Sequence, residues 1–340
     1  MTIKDEVRAL WEACFEDPEA FVDLYFDRRY SDDANIAIRK DGRLVAALQT
    51  IPYEMTFCHA VVPVSYVSGA CTHPAYRKQG LMRKLLKEAH RKMRENEAWF
   101  SVLIPAEEWL FRYYRASGYA SVFRFDAEKL DLNVFLNDDA CSDRKNDYRM
   151  ECARGNREVY AYLNRGWRSR NCWVQHSYED FLDITADLFL DKGVLLVAKR
   201  DERIVGAAIA VHKGDDLVLK ELLFDDERTK TVLLSGIALH FETFSALWIK
   251  PGASYRHGMA RLLDVEKAYS AYAENHPEEH LTFFIDDDQD LPENNGLYEI
   301  HDGKLSHDRN IGREAFPFTI EKATAYLFRA YLPYMSLMMD

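Results

Sequence analysis

The stretch Ala70-Cys71-Thr72-His73-Pro74-Ala75-Tyr76-Arg77-Lys78-Gln79-Gly80-Leu81-Met82 decides the reading of this chain. A run rich in Val, Tyr and Ser, from Val61 to Cys71, has strand character and stops at Pro74. Arg77 and Gly80 follow, and then a long amphipathic basic segment of helical period. A strand that stops, turns through a glycine-containing loop and opens a helix directs several free backbone N–H groups at one point. The positive end of the helix dipole faces the same point. Such a point binds anionic phosphate. The spacing Pro74-x-x-Arg77-x-x-Gly80 fits neither the P-loop nor the Gly-x-Gly-x-x-Gly dinucleotide turn.

Local charge supports that reading. The chain holds 44 Lys plus Arg against 56 Asp plus Glu and is acidic by 12 charges. Yet residues 77–94 carry Arg77, Lys78, Arg83, Lys84, Lys87, Arg91, Lys92 and Arg94 against Glu88 alone. Leu81, Leu85, Ala89 and Met93 give this helix one apolar face. The net acidity argues against a nucleic-acid partner and is compatible with a cationic substrate such as an amine.

At 340 residues, two or three domains are expected. Hydrophobic residues at 48% are ample for packed cores. No apolar run reaches the roughly 20 residues that span a bilayer, and the first residues lack the apolar core of a secretion signal. The six cysteines, Cys14, Cys58, Cys71, Cys141, Cys152 and Cys172, show no Cys-x-x-Cys spacing and read as reduced thiols of a cytoplasmic protein.

Three segments follow from the pattern: 1–147, 148–254 and 255–340. In the first, two short helical patterns break near Asp17-Pro18, a hairpin turns at Asp41-Gly42, and strands are expected at 44–50 and 55–57. After the basic helix come a buried strand near 99–104, a helix over 106–116 and a strand at 121–125. The second segment repeats the theme, with a hairpin at Asp201-Glu202. Its equivalent of the phosphate turn reads Asp225-Asp226-Glu227-Arg228-Thr229-Lys230, with no glycine and three acids that repel phosphate. The third has a strand at 281–285 and an acidic loop from Asp286 to Gly296. Asp286, Asp288 and Asp290 mimic a calcium loop, but Leu291 and Leu297 stand where Gly and Glu are needed, so a solvated turn is expected. His276 and His280 are four apart with Pro277 between them, which argues against a metal.

These pieces resemble the GCN5-related N-acetyltransferase (GNAT) superfamily, and in particular its Eis-type (enhanced intracellular survival) branch. The Pro74-x-x-Arg77-x-x-Gly80 turn carries the first likeness. The second rests on Leu103-Ile-Pro-Ala-Glu107 with Tyr114-Arg-Ala-Ser-Gly118-Tyr119, on Met259 to Ala268, and on Pro292-Glu-Asn-Asn-Gly296. The resemblance implies an α/β (α+β) fold: tandem acetyltransferase-like domains with mixed central sheets and a smaller C-terminal α+β sterol-carrier-like domain. The first domain would be active and the second degenerate. Met82 departs from the family pattern, which often has a second small residue there, but its backbone N–H is unaffected.

The same resemblance implies acetyl-CoA as cosubstrate, with no metal. Ala70, Cys71 and Thr72 would meet the pantetheine arm and the acetyl carbonyl; Arg77, Lys78, Gln79, Gly80, Leu81, Met82 and Arg83 would hold the pyrophosphate. Tyr114 takes the place of the general acid, since a phenol is protonated at neutral pH; spacing alone favours a packed aromatic at a helix end, and it is the motif that gives the catalytic role. Cys71 has no legible His or Asn partner and reads as a structural thiol rather than a nucleophile.

Two groups compete as general base: the terminal carboxylate at Asp340, which the branch directs into the first active site, and Glu54 on the neighbouring strand. Trp11, Phe21, Tyr25 and Phe26 either wall an acceptor pocket, suited to a cation, or form core. The reaction expected is acetyl transfer to a primary amine of an aminoglycoside-like molecule, polyamine or lysine, by direct attack in a ternary complex. A homo-oligomer without membrane or nucleic-acid partners is also implied. The alternative is a non-catalytic protein that senses acetyl-CoA or binds an apolar ligand.

Overall fold

The computed structural model describes residues 2–136, 148–309 and 315–339. Helix α1 (Ile3–Glu12) starts at a capping box between Thr2 and Asp5, and Pro18 opens α2 (Glu19–Arg28). Strands β1 (Asn35–Lys40) and β2 (Arg43–Phe57) pair through Asp41-Gly42, both at positive φ as a tight hairpin turn demands. β2 is one 15-residue strand rather than the two pieces expected around Pro52. Pro52 is tolerated because β1 leaves β2 at Gln49 and β7 (Val174–Gln175) joins it only at Glu54, so no ladder bond is lost there.

β3 (Ala60–Thr72) runs antiparallel to β2 and leads to α3 (Leu81–Glu95), then β4 (Phe100–Leu103), α4 (Glu108–Arg115), β5 (Ala120–Asp131) and the short α5 (Asn133–Leu136). The second segment contributes β6 (Arg149–Cys152), α6 (Arg157–Arg168), β7, α7 (Tyr178–Leu190), β8 (Val194–Arg200), β9 (Arg203–Lys213), β10 (Asp216–Phe224), α8 (Glu227–Phe241) and β11 (Ser245–Pro251). The third adds β12 (Tyr255–Leu262), α9 (Val265–Asn275), β13 (Leu281–Ile285), β14 (Gly296–His301), β15 (Lys304–Asp308), β16 (Phe316–Pro317) and α10 (Ile320–Phe328).

Twelve strands form one mixed sheet in the order β1-β2-β3-β4-β12-β5-β11-β10-β9-β8-β6, with β7 on β2; a second sheet has the order β15-β14-β13-β16. The fold is therefore mixed α/β with a large sheet, a small sheet and ten helices among the described residues. Its connectivity crosses the segment boundaries. β12, which the pattern places in the third segment, lies between β4 and β5 of the first. β5 is long enough to serve both halves: Ala120 to Phe125 face β12, and Phe125 to Asp131 face β11.

The third segment seals the first. Phe328 of α10 meets Phe57, Phe100 and Phe123, and Thr324 Oγ accepts the Leu262 N–H. The loop between β13 and β14 is not the solvated turn expected from its charge, for Asp288, Asp290 and Asn294 are buried. Arg261 meets Asp288, and Arg83 and His90 of α3 meet Asp290, which offsets the desolvation of these carboxylates. Residues 334–339 are also buried, with Tyr334 bridged to Trp173 and the Ser336 carbonyl accepting from His176 Nε2.

Candidate active site

Strands β3 and β4 run parallel and pair at Val64, Ser65 and Tyr66 with Phe100, Ser101 and Val102. Beyond Tyr66 they part, and Val67 to Thr72 keep β2 alone as strand neighbour. Within this free stretch the β2–β3 register slips between Ala47 and Gln49. Gly69 has φ +58°, and a Cβ there would lie 2.2 Å from the Trp11 ring. The bulge leaves Gly69 and Ala70 without a register partner on β2, while Cys71 and Thr72 pair with Ala47 and Ala46 and keep their other edge free toward the gap. Ala70, Cys71 and Thr72 thus lie on β3 beyond its pairing with β4.

The turn that follows is shaped for an anion. His73 caps a short 3-10 turn over Pro74–Tyr76, Lys78 has φ +63° and Gly80 φ +72°, and α3 begins at Leu81. The first helical bond is donated by Lys84 to the Gly80 carbonyl. Among the described residues, the N–H groups of Lys78, Gln79, Gly80, Leu81, Met82 and Arg83 have no acceptor.

Six other helices close their N-termini with a side chain, from Thr2, Asn156, Ser177, Asp226, Asp264 and Thr319. α3 has no such cap. The contrast with α8, at the equivalent place in the second segment, is direct. There Asp226 accepts from both Thr229 N–H and Thr229 Oγ, so its own carboxylate fills the anion position.

Side chains divide unevenly around the turn. Arg77 and Lys78 are exposed, and Arg77 Nε donates to the Thr72 carbonyl at 3.2 Å. Lys40 reaches the Gln79 amide. Arg83, expected at the phosphate, instead grips Asp290 with both terminal nitrogens; only its N–H remains for a ligand. The cause is the buried loop, which needs a cation at that point.

Tyr114 lies at the end of α4, buried in the cluster that holds Val67 of β3, Leu81 of α3 and Leu103 of β4. These are the elements around the gap. Its ring packs on Tyr113 and Tyr119, and its hydroxyl has no hydrogen bond among the described residues. Burial pushes its pKa well up, which keeps the proton on oxygen. Cys71 is buried beside the half-buried Cys14. A hydrogen bond with the Cys71 thiol, aided by the Arg77 charge, lowers Cys14 to about 7, and the same contact raises Cys71.

Other expected residues fall elsewhere. Glu54 stands six residues along β2 from Leu48, about 20 Å of extended strand from the bulge. It is exposed and ion-paired to Arg168 at 3.2 Å, so the position of a base at the splayed edge is not its own. Trp11, Tyr25 and Phe26 are core rather than pocket wall: Trp11 covers Gly69, and Tyr25 donates to Ser68 Oγ at 2.8 Å from full burial. Phe21 is half-buried against Tyr25. Asp340 lies outside the described residues; its neighbour Met339 is buried near Ile209 and Lys220.

A buried polar chain had no legible signal in the sequence. His90 places Nδ1 2.8 Å from Asp290 and Nε2 3.0 Å from the Tyr119 hydroxyl, which lies 2.7 Å from Ser101 Oγ. An ionised Asp290 only accepts, so Nδ1 carries the proton and Tyr119 donates to Nε2. The chain fixes α3 against β4 and the third segment.

The uncapped helix end and the parted parallel strand pair both lie within the part of the chain that a family model matches. Residues 3–122 match the acetyltransferase (GNAT) domain. Solved structures share the fold over nearly the whole chain. A GCN5-related N-acetyltransferase from Anabaena variabilis superposes with a TM-score of 0.75 at 15% identity, over 95% of this chain and 87% of that one. A probable N-acyltransferase from Enterococcus faecalis gives 0.73 at 16%, over 98% and 94%. Eis1 from Mycobacterium abscessus gives 0.70 at 11%, over 97% and 87%. At these identities the likeness is one of fold. No curated protein matches the sequence.

Proposed function

We propose that this protein is an N-acetyltransferase that moves the acetyl group of acetyl-CoA to a primary amine. One observation carries the reading: six unpaired N–H groups at an uncapped helix end, beside the open end of a parted strand pair. The diphosphate would take the N–H groups of residues 78–83, with Arg77 and Lys78 adding charge. The pantetheine arm would extend β3 along its free edge at Ala70 to Thr72, as an added strand does.

The neutral amine attacks the thioester carbonyl in a ternary complex. The carbon–nitrogen bond forms, the carbonyl oxygen gains negative charge, and backbone N–H groups of the bulge stabilise it. The carbon–sulfur bond then breaks and the thiolate takes the Tyr114 proton. The amine proton leaves to a base, for which the carboxylate at Asp340 is the candidate once Glu54 is set aside on distance. The acidic balance of the chain favours a cationic acceptor such as an aminoglycoside-like amine, a polyamine or a lysine. The third segment, an α+β unit with its own sheet, fits the sterol-carrier-like part of an Eis-type arrangement.

Thiol release from acetyl-CoA, measured against polyamines, aminoglycosides and lysine peptides, tests the reading. Turnover with one amine class and a kcat about 10²-fold lower in Tyr114→Phe is expected. Saturable acetyl-CoA binding without thiol release from any amine would favour the acetyl-CoA-sensing alternative.

A further inference from the structure

His280 and His301 face each other on the solvent side of the small sheet. β13 and β14 are antiparallel with Leu281 opposite Ile300, so one step further along the register sets His280 opposite His301. Their rings lie 4.5 Å apart between centroids. Asp302 and Gly303, at φ +50° and +72°, make the two-residue turn from β14 to β15, and that turn brings the Asp302 carboxylate to 2.9 Å from His301 Nδ1. All three residues are exposed, and one donor atom from each lies within 4.8 Å of the others. The rejected pairing of His276 with His280 missed this site because the second imidazole comes from across the sheet rather than along a helix.

We propose that His280, His301 and Asp302 form a binding site for a divalent transition-metal ion. Two imidazole nitrogens and one carboxylate oxygen are a donor set suited to Zn²⁺ or Cu²⁺, and water would complete the coordination. Ligand atoms about 2.0–2.2 Å from one ion lie at most about 4 Å apart, so small rotations of exposed side chains close the site. The backbone framework is already set by the strand pair and the tight turn. Lys304 and Glu299 share this face by register, one opposing and one favouring a cation, so the imidazoles rather than the net charge provide the affinity.

Isothermal titration of the purified full-length chain with ZnCl₂ and CuCl₂ tests the site, with MgCl₂ as a hard-cation comparison. One equivalent is expected, with Cu²⁺ tighter than Zn²⁺ and no heat from Mg²⁺. His280→Ala and His301→Ala each weaken binding by at least about tenfold, and Asp302→Asn by several-fold. His212→Ala, on β9, leaves it unchanged. Copper bound to the wild-type chain shows two-nitrogen coupling in its paramagnetic resonance spectrum, and either His substitution reduces it. Thermal melts without metal check that the variants fold. Zinc binding weaker than millimolar, or binding that survives both His substitutions, overturns the proposal; an unchanged affinity in Asp302→Asn overturns the three-ligand form.

Discussion

Arg83 and Asp290, 207 residues apart in the chain, are joined by two parallel hydrogen bonds of 2.8 and 2.7 Å. Asp290 also accepts from His90, and the two donors together hold its carboxyl well below the usual carboxylate range despite its burial. The pair ties the third segment to the first turn of the helix that opens at the anion turn. Asp290→Ala leaves His90 Nδ1 and the guanidinium of Arg83 without their carboxylate partner. A loss of about 3 kcal/mol in urea unfolding is expected. A several-fold rise in KM for acetyl-CoA should accompany it. Unaltered stability would show that the loop contributes no anchoring.

Two glycines near the site answer to different constraints. A Cβ at Gly69 would strike the Trp11 ring at 2.2 Å and also sit at φ +58°. At Gly80 nothing lies within 4 Å, and φ +72° is the sole constraint. Gly80→Ala should cost roughly 1–2 kcal/mol. Gly69→Ala should cost about 2–4 kcal/mol, because overpacking adds to the strain. Equal losses in thermal or urea melts would contradict the contact with Trp11.

Stability should fall in mild acid. Burial pushes His90 down to about 4, with the Arg261 charge adding to the effect, and burial likewise brings His176 to about 4. The unfolded imidazoles protonate near pH 6.5, so unfolding takes up protons between pH 6.5 and about 4. The stability is present above pH 6.5 and is lost as the pH falls through this window. From pH 7 to pH 5 each imidazole removes about 2 kcal/mol. His90→Gln, compared by urea unfolding at both pH values, should show a shallower loss; an identical loss would mean His90 is not held neutral.

Cys14 should be the most reactive of the described thiols. With its pKa near 7, alkylation by iodoacetamide should rise steeply through neutral pH. Cys71→Ala removes the hydrogen bond and should move that midpoint toward the ordinary thiol value of about 8.5. Acetyl-CoA should slow the reaction, since Cys71 stands on the strand proposed to receive it. Mass spectrometry of the labelled peptide reads all three outcomes.

The sequence by itself determined what near neighbours decide. The hairpin turns at Asp41-Gly42 and Asp201-Glu202 adopt positive φ, and the strand that ends before Pro74 leads through Gly80 into an uncapped helix. These depend on local dihedral preferences and on hydrogen bonds within a few residues. The same locality made Tyr114 legible on α4 and the acids at residues 225–227 legible as a closed anion site. Tertiary structure alone decided that β12 enters between β4 and β5, and that an acidic loop is buried against Arg83, His90 and Arg261. It also turned Trp11, Tyr25 and Phe26 inward, separated Glu54 from the bulge, and set His280 opposite His301. Apolar periodicity says that a face is buried but not what covers it. Partners hundreds of residues apart are selected by burial and charge complementarity once the strands have come together.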